Sequence, residues 1–208
     1  VFETTSPSHL LMASIDECIL YLQANGLQEH IILYDRLKDF SKRMKGLEKL
    51  QVLCMGDDRI ENHPSFYQFD PSKIVISTMN TTITGMDLKN ILREDYRLEV
   101  EMAYGNYAMG MATIGDEQIG FDRLAEALID LDQKLDRVES KDPAIFPAIP
   151  RRKISVLDAL EGDHEFMAVE DAKGLICSEY AWAYPPGIPL LTPGEVIDED
   201  VLRRFRQL

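Results

Sequence analysis

The stretch AWAYPPGIPLLTPGE at 181–195 constrains this chain more than any other. Pro185, Pro186, Pro189 and Pro193 each fix φ and remove a backbone donor, while Gly187 and Gly194 open conformations that other residues avoid. Ile188, Leu190 and Leu191 lie between them, so the segment is apolar yet cannot form a helix or a central strand. A rigid, apolar loop of this kind either covers a core as a stiff connector or is shaped for a ligand.

The wording Tyr184-Pro-Pro-Gly-Ile-Pro-Leu-Leu-x-Pro-Gly-Glu195 resembles the C-terminal domain of the bacterial Orn/Lys/Arg decarboxylases, which depend on pyridoxal phosphate. Thr4-Thr5-Ser6-Pro7-Ser8, followed by Leu10-Leu11-Met12-Ala13-Ser14-Ile15-Asp16, is similar to the family's Thr-Ser-Pro-Ser segment and the helix after it. Further matches are Ile83-Thr84-Gly85 with Leu92-Arg93-Glu94-Asp95-Tyr96, and Thr113-Ile114-Gly115-Asp116 leading to Arg123-Leu124. They run in family order, so the resemblance covers nearly the whole chain. It implies the back part of a fold-type-I enzyme, arginine decarboxylase-like and homo-oligomeric. The expected fold class is α/β and α+β: a small α/β domain followed by a small α+β C-terminal domain.

One departure is serious. Pyridoxal phosphate is held by a lysine amine as a Schiff base, and the resemblance places that lysine in a Ser-x-His-Lys motif upstream of the Thr-Ser-Pro segment. The chain has ten lysines, and none follows a histidine. The resemblance also puts the aspartate for the pyridine nitrogen and most of the phosphate cup in that missing N-terminal domain. Val1-Phe2-Glu3 reads as the middle of a strand. No catalytic residue is therefore expected in this chain, and it is expected to be inactive alone.

The formal charge of −14 and pI near 4.7 argue against a nucleic-acid partner, because nothing here neutralises a run of phosphates. An acidic surface modestly attracts cationic substrates. Cys18, Cys54 and Cys177 show no C-x-x-C spacing and read as thiols of a reducing compartment; packing is the expected role of Cys177. With no secretory pattern and no run of apolar residues long enough for a membrane span, a cytoplasmic protein is expected.

Ser6 followed by Pro7 reads as a helix start, with Leu11, Ile15, Cys18, Ile19 and Leu22 at helical spacing and Gly26 as a stop. A second helix over 28–46 buries Leu33, Leu37, Phe40 and Met44. Strands are expected at Gln51–Met55, Lys73–Ser77, Glu99–Ala103 and Tyr107–Thr113, and helices over 85–94, capped by Thr84 with Asp87, and over 117–136. The pattern describes a mixed or antiparallel sheet covered on one side by helices. Beyond it, Ser155 caps a short helix to Leu160, Val169–Lys173 makes a helical turn, Leu175–Ala181 reads as a strand, and Asp198–Gln207 closes with a helix. The resulting domains are 1–25, the tail of the large domain and linking helix; 26–137, the small α/β domain; 138–153, a proline-bearing linker; and 154–208, the C-terminal domain.

The resemblance assigns Thr5 and Ser6 to the cofactor phosphate held by the partner subunit, a role that suits hydroxyls at a helix N-terminus; the alternative for Ser6 is a plain helix cap. Glu179 and Glu195 flank the proline loop as candidate carboxylates for a basic substrate, or as ordinary surface and capping acids. Trp182 and Tyr184 either wall the substrate tail through cation–π contact or pack into the core. The four histidines form no ligand set, so no metal is expected. The implied function is decarboxylation of a basic amino acid for polyamine synthesis, arginine favoured, then lysine or ornithine. The alternative is a non-catalytic binding or regulatory module derived from the same family.

Overall fold

The computed structural model describes residues 6–53, 55, 67–139, 149–184 and 187–206. The chain divides into two compact units, Val1–Lys141 and Asp142–Leu208.

The first unit opens with α1, His9–Met44, a single helix of 36 residues. The expected stop at Gly26 does not occur. Gly26 is absent from the glycines with positive φ, so it offers no left-handed cap, and one interior glycine costs only about 1 kcal/mol. Leu33, Leu37, Phe40 and Met44 are buried as the spacing predicts, whereas every residue from 6 to 25 is exposed.

Four short strands follow: β1 Gln51–Leu53, β2 Lys73–Ser77, β3 Met102–Tyr104 and β4 Tyr107–Met111, in the order β1-β2-β4-β3. Every pairing is antiparallel, with Val52 opposite Ile76 and Ile76 opposite Ala108. Alternation puts Ile74, Ile76 and Ala108 on the buried face, where they meet α1, α2 (Gly85–Tyr96) and α3 (Gln118–Lys134) in one core. The Phe40 and Phe121 rings meet edge to face at 6.3 Å.

The joints of this unit are polar. Thr84 and Asp87 form the expected capping box at the start of α2. A Cβ on Gly85 would lie 2.1 Å from the Tyr107 carbonyl oxygen, so only glycine lets α2 start against β4. Arg36 donates to the Asp116 carbonyl at 2.7 Å and Arg43 pairs with Asp122 at 2.8 Å, tying α1 to α3. The buried Asp132 carboxylate accepts from the backbone N–H groups of Glu48, Lys49 and Leu50 at 3.0, 2.9 and 2.7 Å, fastening the approach to β1.

The second unit holds α4 Val156–Glu161, capped by Ser155 as expected, a 3-10 turn at Val169–Asp171, a hairpin of β5 Ala181–Ala183 with β6 Ile188–Leu191, and α5 Glu199–Arg206. Its core comprises Ala172, Cys177, Leu191, Ile197, Val201 and Leu202. The stretch expected as a strand, Leu175–Ala181, instead makes an isolated bridge, Ile176 opposite Val196, and regular pairing begins only at Ala181. The proline stretch thus supplies both strands of a two-stranded sheet, where Pro189 faces Trp182 and no continuous ladder demands its missing N–H. Among the described residues, no helix is long and apolar enough to cross a membrane.

Candidate functional site

Thr5 lies outside the described residues. Ser6 is exposed but is not the cap of α1. Ser8 takes that role: its backbone is extended, its Oγ accepts from Leu11 N at 3.4 Å, and its carbonyl accepts from Met12 N at 3.0 Å. The helix starts at His9, so Pro7 is not its first residue, and the Ser-Pro signal points two positions too early.

The proline stretch is pinned on both sides of its last turn. Lys153 N donates to the Gly194 carbonyl and Val196 N to that of Arg151, while Cys177 N reaches the Glu195 carbonyl and Gly194 N that of Cys177, all between 2.8 and 2.9 Å. Arg151 and Lys153, at the end of the expected linker, are therefore hydrogen-bonded into the second unit. Pro193 is fully buried, and Gly194 sits at φ +89°, where a Cβ would fall 2.4 Å from the Ile154 carbonyl oxygen.

This scaffold treats the two candidate carboxylates differently. Glu195 is 6% exposed, and its Oε2 accepts from Thr192 N at 2.7 Å, closing its own turn. Glu179 is exposed, and its carbonyl accepts the Cys177 thiol at 3.0 Å. Burial pushes that thiol above its ordinary range, and the hydrogen bond to Glu179 only partly opposes it. Cys177 is thus a packed thiol rather than a ready nucleophile.

The aromatic candidates lie on the hairpin. Trp182 is 58% exposed and Tyr184 79%, which overturns the core-packing alternative for both. The Trp182 ring stands 6.0 Å from that of Tyr180, tilted by 42°, and the edge of Tyr184 lies over Gly187, 3.4 Å from where a Cβ would be. Tyr180, also exposed, was not singled out in the sequence; its offset of two from Trp182 is the signal that could have found it. The hairpin therefore presents a row of aromatic rings with an exposed acid two residues ahead of Ala181, an arrangement able to receive a flat or cationic group.

A pyridoxal-phosphate lysine must offer a neutral amine. Lys42, Lys134 and Lys173 instead hold the carboxylates of Asp39, Asp130 and Glu199, and Lys49 donates to the carbonyls of Asp132 and Gln133. The hydrogen bond to Asp130 raises the Lys134 pKa, the wrong direction for such a role. These four lysines do not fit the cofactor's aldehyde. No group of three or more His, Cys, Asp or Glu among the described residues could hold a metal ion.

Residues 140–208 match the family model described as Orn/Lys/Arg decarboxylase, C-terminal domain. The chain is 33% identical to the arginine decarboxylase of Bacillus subtilis over 95% of its own length and 40% of that protein's. It is 35% identical to the arginine decarboxylase of Halalkalibacterium halodurans over 98% of its own length and 42% of that protein's. It therefore spans about two fifths of the curated relatives it matches. Among solved structures it resembles the constitutive lysine decarboxylase of E. coli, with a TM-score of 0.72 and 18% identity over 99% of this chain and 40% of that one. The Francisella novicida lysine decarboxylase LdcF gives 0.64 and 14%, over 88% and 36% of the two chains. These likenesses establish the fold, and the family match identifies residues 140–208 as an Orn/Lys/Arg decarboxylase C-terminal domain.

Proposed function

We propose that this chain is the C-terminal part of a pyridoxal-phosphate-dependent decarboxylase of basic amino acids, arginine favoured over lysine and ornithine. The observation that carries the reading is its end-to-end similarity to two fifths of proteins named arginine decarboxylase. The family resemblance puts the cofactor-holding lysine in the part of the intact enzyme that these 208 residues do not span, so that they would be inactive alone. Bound pyridoxal phosphate supplies the electron sink for loss of CO2.

This chain's own contribution is binding and positioning. The rings of Trp182 and Tyr184 flank the cationic end of the substrate side chain, and the Glu179 carboxylate supplies the opposite charge. Glu195, already committed to Thr192, holds the loop's shape rather than the substrate. Thr5 and Ser6 offer hydroxyls to the cofactor phosphate of a partner subunit in a cytoplasmic homo-oligomer. The exposed Leu11, Ile15, Ile19 and Leu22 continue the stripe that Leu33, Leu37 and Phe40 bury further along α1, and they seat the catalytic domain.

The test is CO2 release by the full-length gene product from arginine, lysine and ornithine. Turnover of at least one is expected, and activity on none sinks the reading. With the preferred substrate, the double variant Trp182→Ala/Tyr184→Ala should raise KM about tenfold with kcat little changed, the range expected for losing cation–π contacts. An unchanged KM removes the hairpin from the substrate site.

A further inference from the structure

Between its isolated bridge and its hairpin, the second unit has a gap in an antiparallel pairing. Ile176 stands opposite Val196 and Ala181 opposite Leu191, so the same register carried across the gap sets Glu179 against Pro193. Antiparallel strands exchange hydrogen bonds at every second residue. Cys177 N reaches the Glu195 carbonyl, and the next exchange therefore falls at Glu179. Pro193 has no N–H to give. Its neighbour Thr192 gives its own N–H to the Glu195 carboxylate at 2.7 Å. The Glu179 carbonyl thus loses its ladder donor, and the Cys177 thiol takes that place, donating at 3.0 Å.

The substitute donor starts from a fixed point. Cys177 is buried in the core of the unit, its N–H held by the Glu195 carbonyl and its carbonyl by Gly194 N, both at 2.8 Å. Burial raises the thiol's pKa and so keeps the proton that it donates. The backbone secured at Glu179 sets where that carboxylate leaves the chain. It also sets where Tyr180 begins, whose ring meets Trp182 at 6.0 Å.

We infer that Cys177 is a positioning residue for the cationic end of the substrate: its thiol, standing in for the N–H that Pro193 lacks, fixes Glu179 and through it the carboxylate that meets the substrate. This rests on the substrate role proposed for Glu179 and names the buried side chain through which that role is set.

Steady-state kinetics of the full-length enzyme with its preferred basic amino acid test it. Cys177→Ala removes the donor and should raise KM about three- to tenfold, the range of one net hydrogen bond, with kcat little changed. Cys177→Val, which keeps apolar volume in the core but donates nothing, should do the same. Cys177→Ser restores a donor and should return KM to within about twofold of the parent. Glu179→Gln should raise KM at least as much as Cys177→Ala, and adding Cys177→Ala to it should raise KM no further, because the charge being positioned is already gone. A packing role alone gives other results: Ser no better than Ala, and the same factor from Cys177→Ala with or without the Glu179 carboxylate. Either result overturns the inference. A raised KM in Glu179→Gln beside an unchanged one in Cys177→Ala overturns this inference alone, whereas an unchanged KM in Glu179→Gln removes the substrate role of Glu179 and this inference with it.

Discussion

At Gly194 the backbone has no room for a side chain and a φ that disfavours one. A methyl there meets the Ile154 carbonyl oxygen at 2.4 Å, and φ +89° adds about 1–2 kcal/mol for any L-residue. Gly194→Ala should therefore destabilise the second unit by about 3 kcal/mol, seen as a lower urea midpoint of its transition. A midpoint within error of the parent would mean the turn readjusts at little cost. The same loop shows what residue types reveal on their own. Its stiffness was legible in Pro193 and Gly194, but not the fate of Glu195, because the Thr192 N–H that claims its carboxylate becomes a partner only once the turn closes.

Among elements, those written by local chemistry appear where the sequence puts them. β2 spans Lys73–Ser77 as expected, and α2 starts at its Thr84–Asp87 box, since alternation and capping are set within a few residues. α1 departs from expectation because an interior glycine is only a weak breaker against apolar residues recurring on both sides of it. The β5–β6 hairpin was hidden because Pro189 reads as a strand breaker, although a two-stranded sheet tolerates it. Asp132 left no signal at all: the N–H groups it gathers lie more than eighty positions earlier in the chain. Asp132→Ala would strand three backbone donors at the start of β1 and should cost about 3 kcal/mol, with Asp132→Asn less damaging because one acceptor remains. Urea unfolding checks this, and equal costs for the two variants would argue against the carboxylate's hydrogen bonds as the cause.

For the whole molecule, acid is the expected weakness. Hydrogen bonds from Lys134 and then Tyr96, at 2.6 and 2.5 Å, hold the Asp130 carboxyl below its ordinary value. Lys42 does the same for Asp39, and Lys173 for Glu199. A carboxylate with a depressed folded pKa adds stability that is present above its unfolded value and lost as pH falls through the folded one, here below about pH 4. Lys134→Met should be less stable than the parent at neutral pH and converge on it in that acidic window; a gap that persists at low pH would mean lost packing rather than lost charge. A sheet of helix-facing strands was legible in broad outline, whereas the pairing of Tyr180 with Trp182 was not, because it depends on how the hairpin folds. The exposed hairpin has one more consequence. Trp182 is the single tryptophan of the chain and stands open to water, so intrinsic fluorescence becomes a private optical channel: quenchable and red-shifted while the rings stay bare, blue-shifted once anything settles over them.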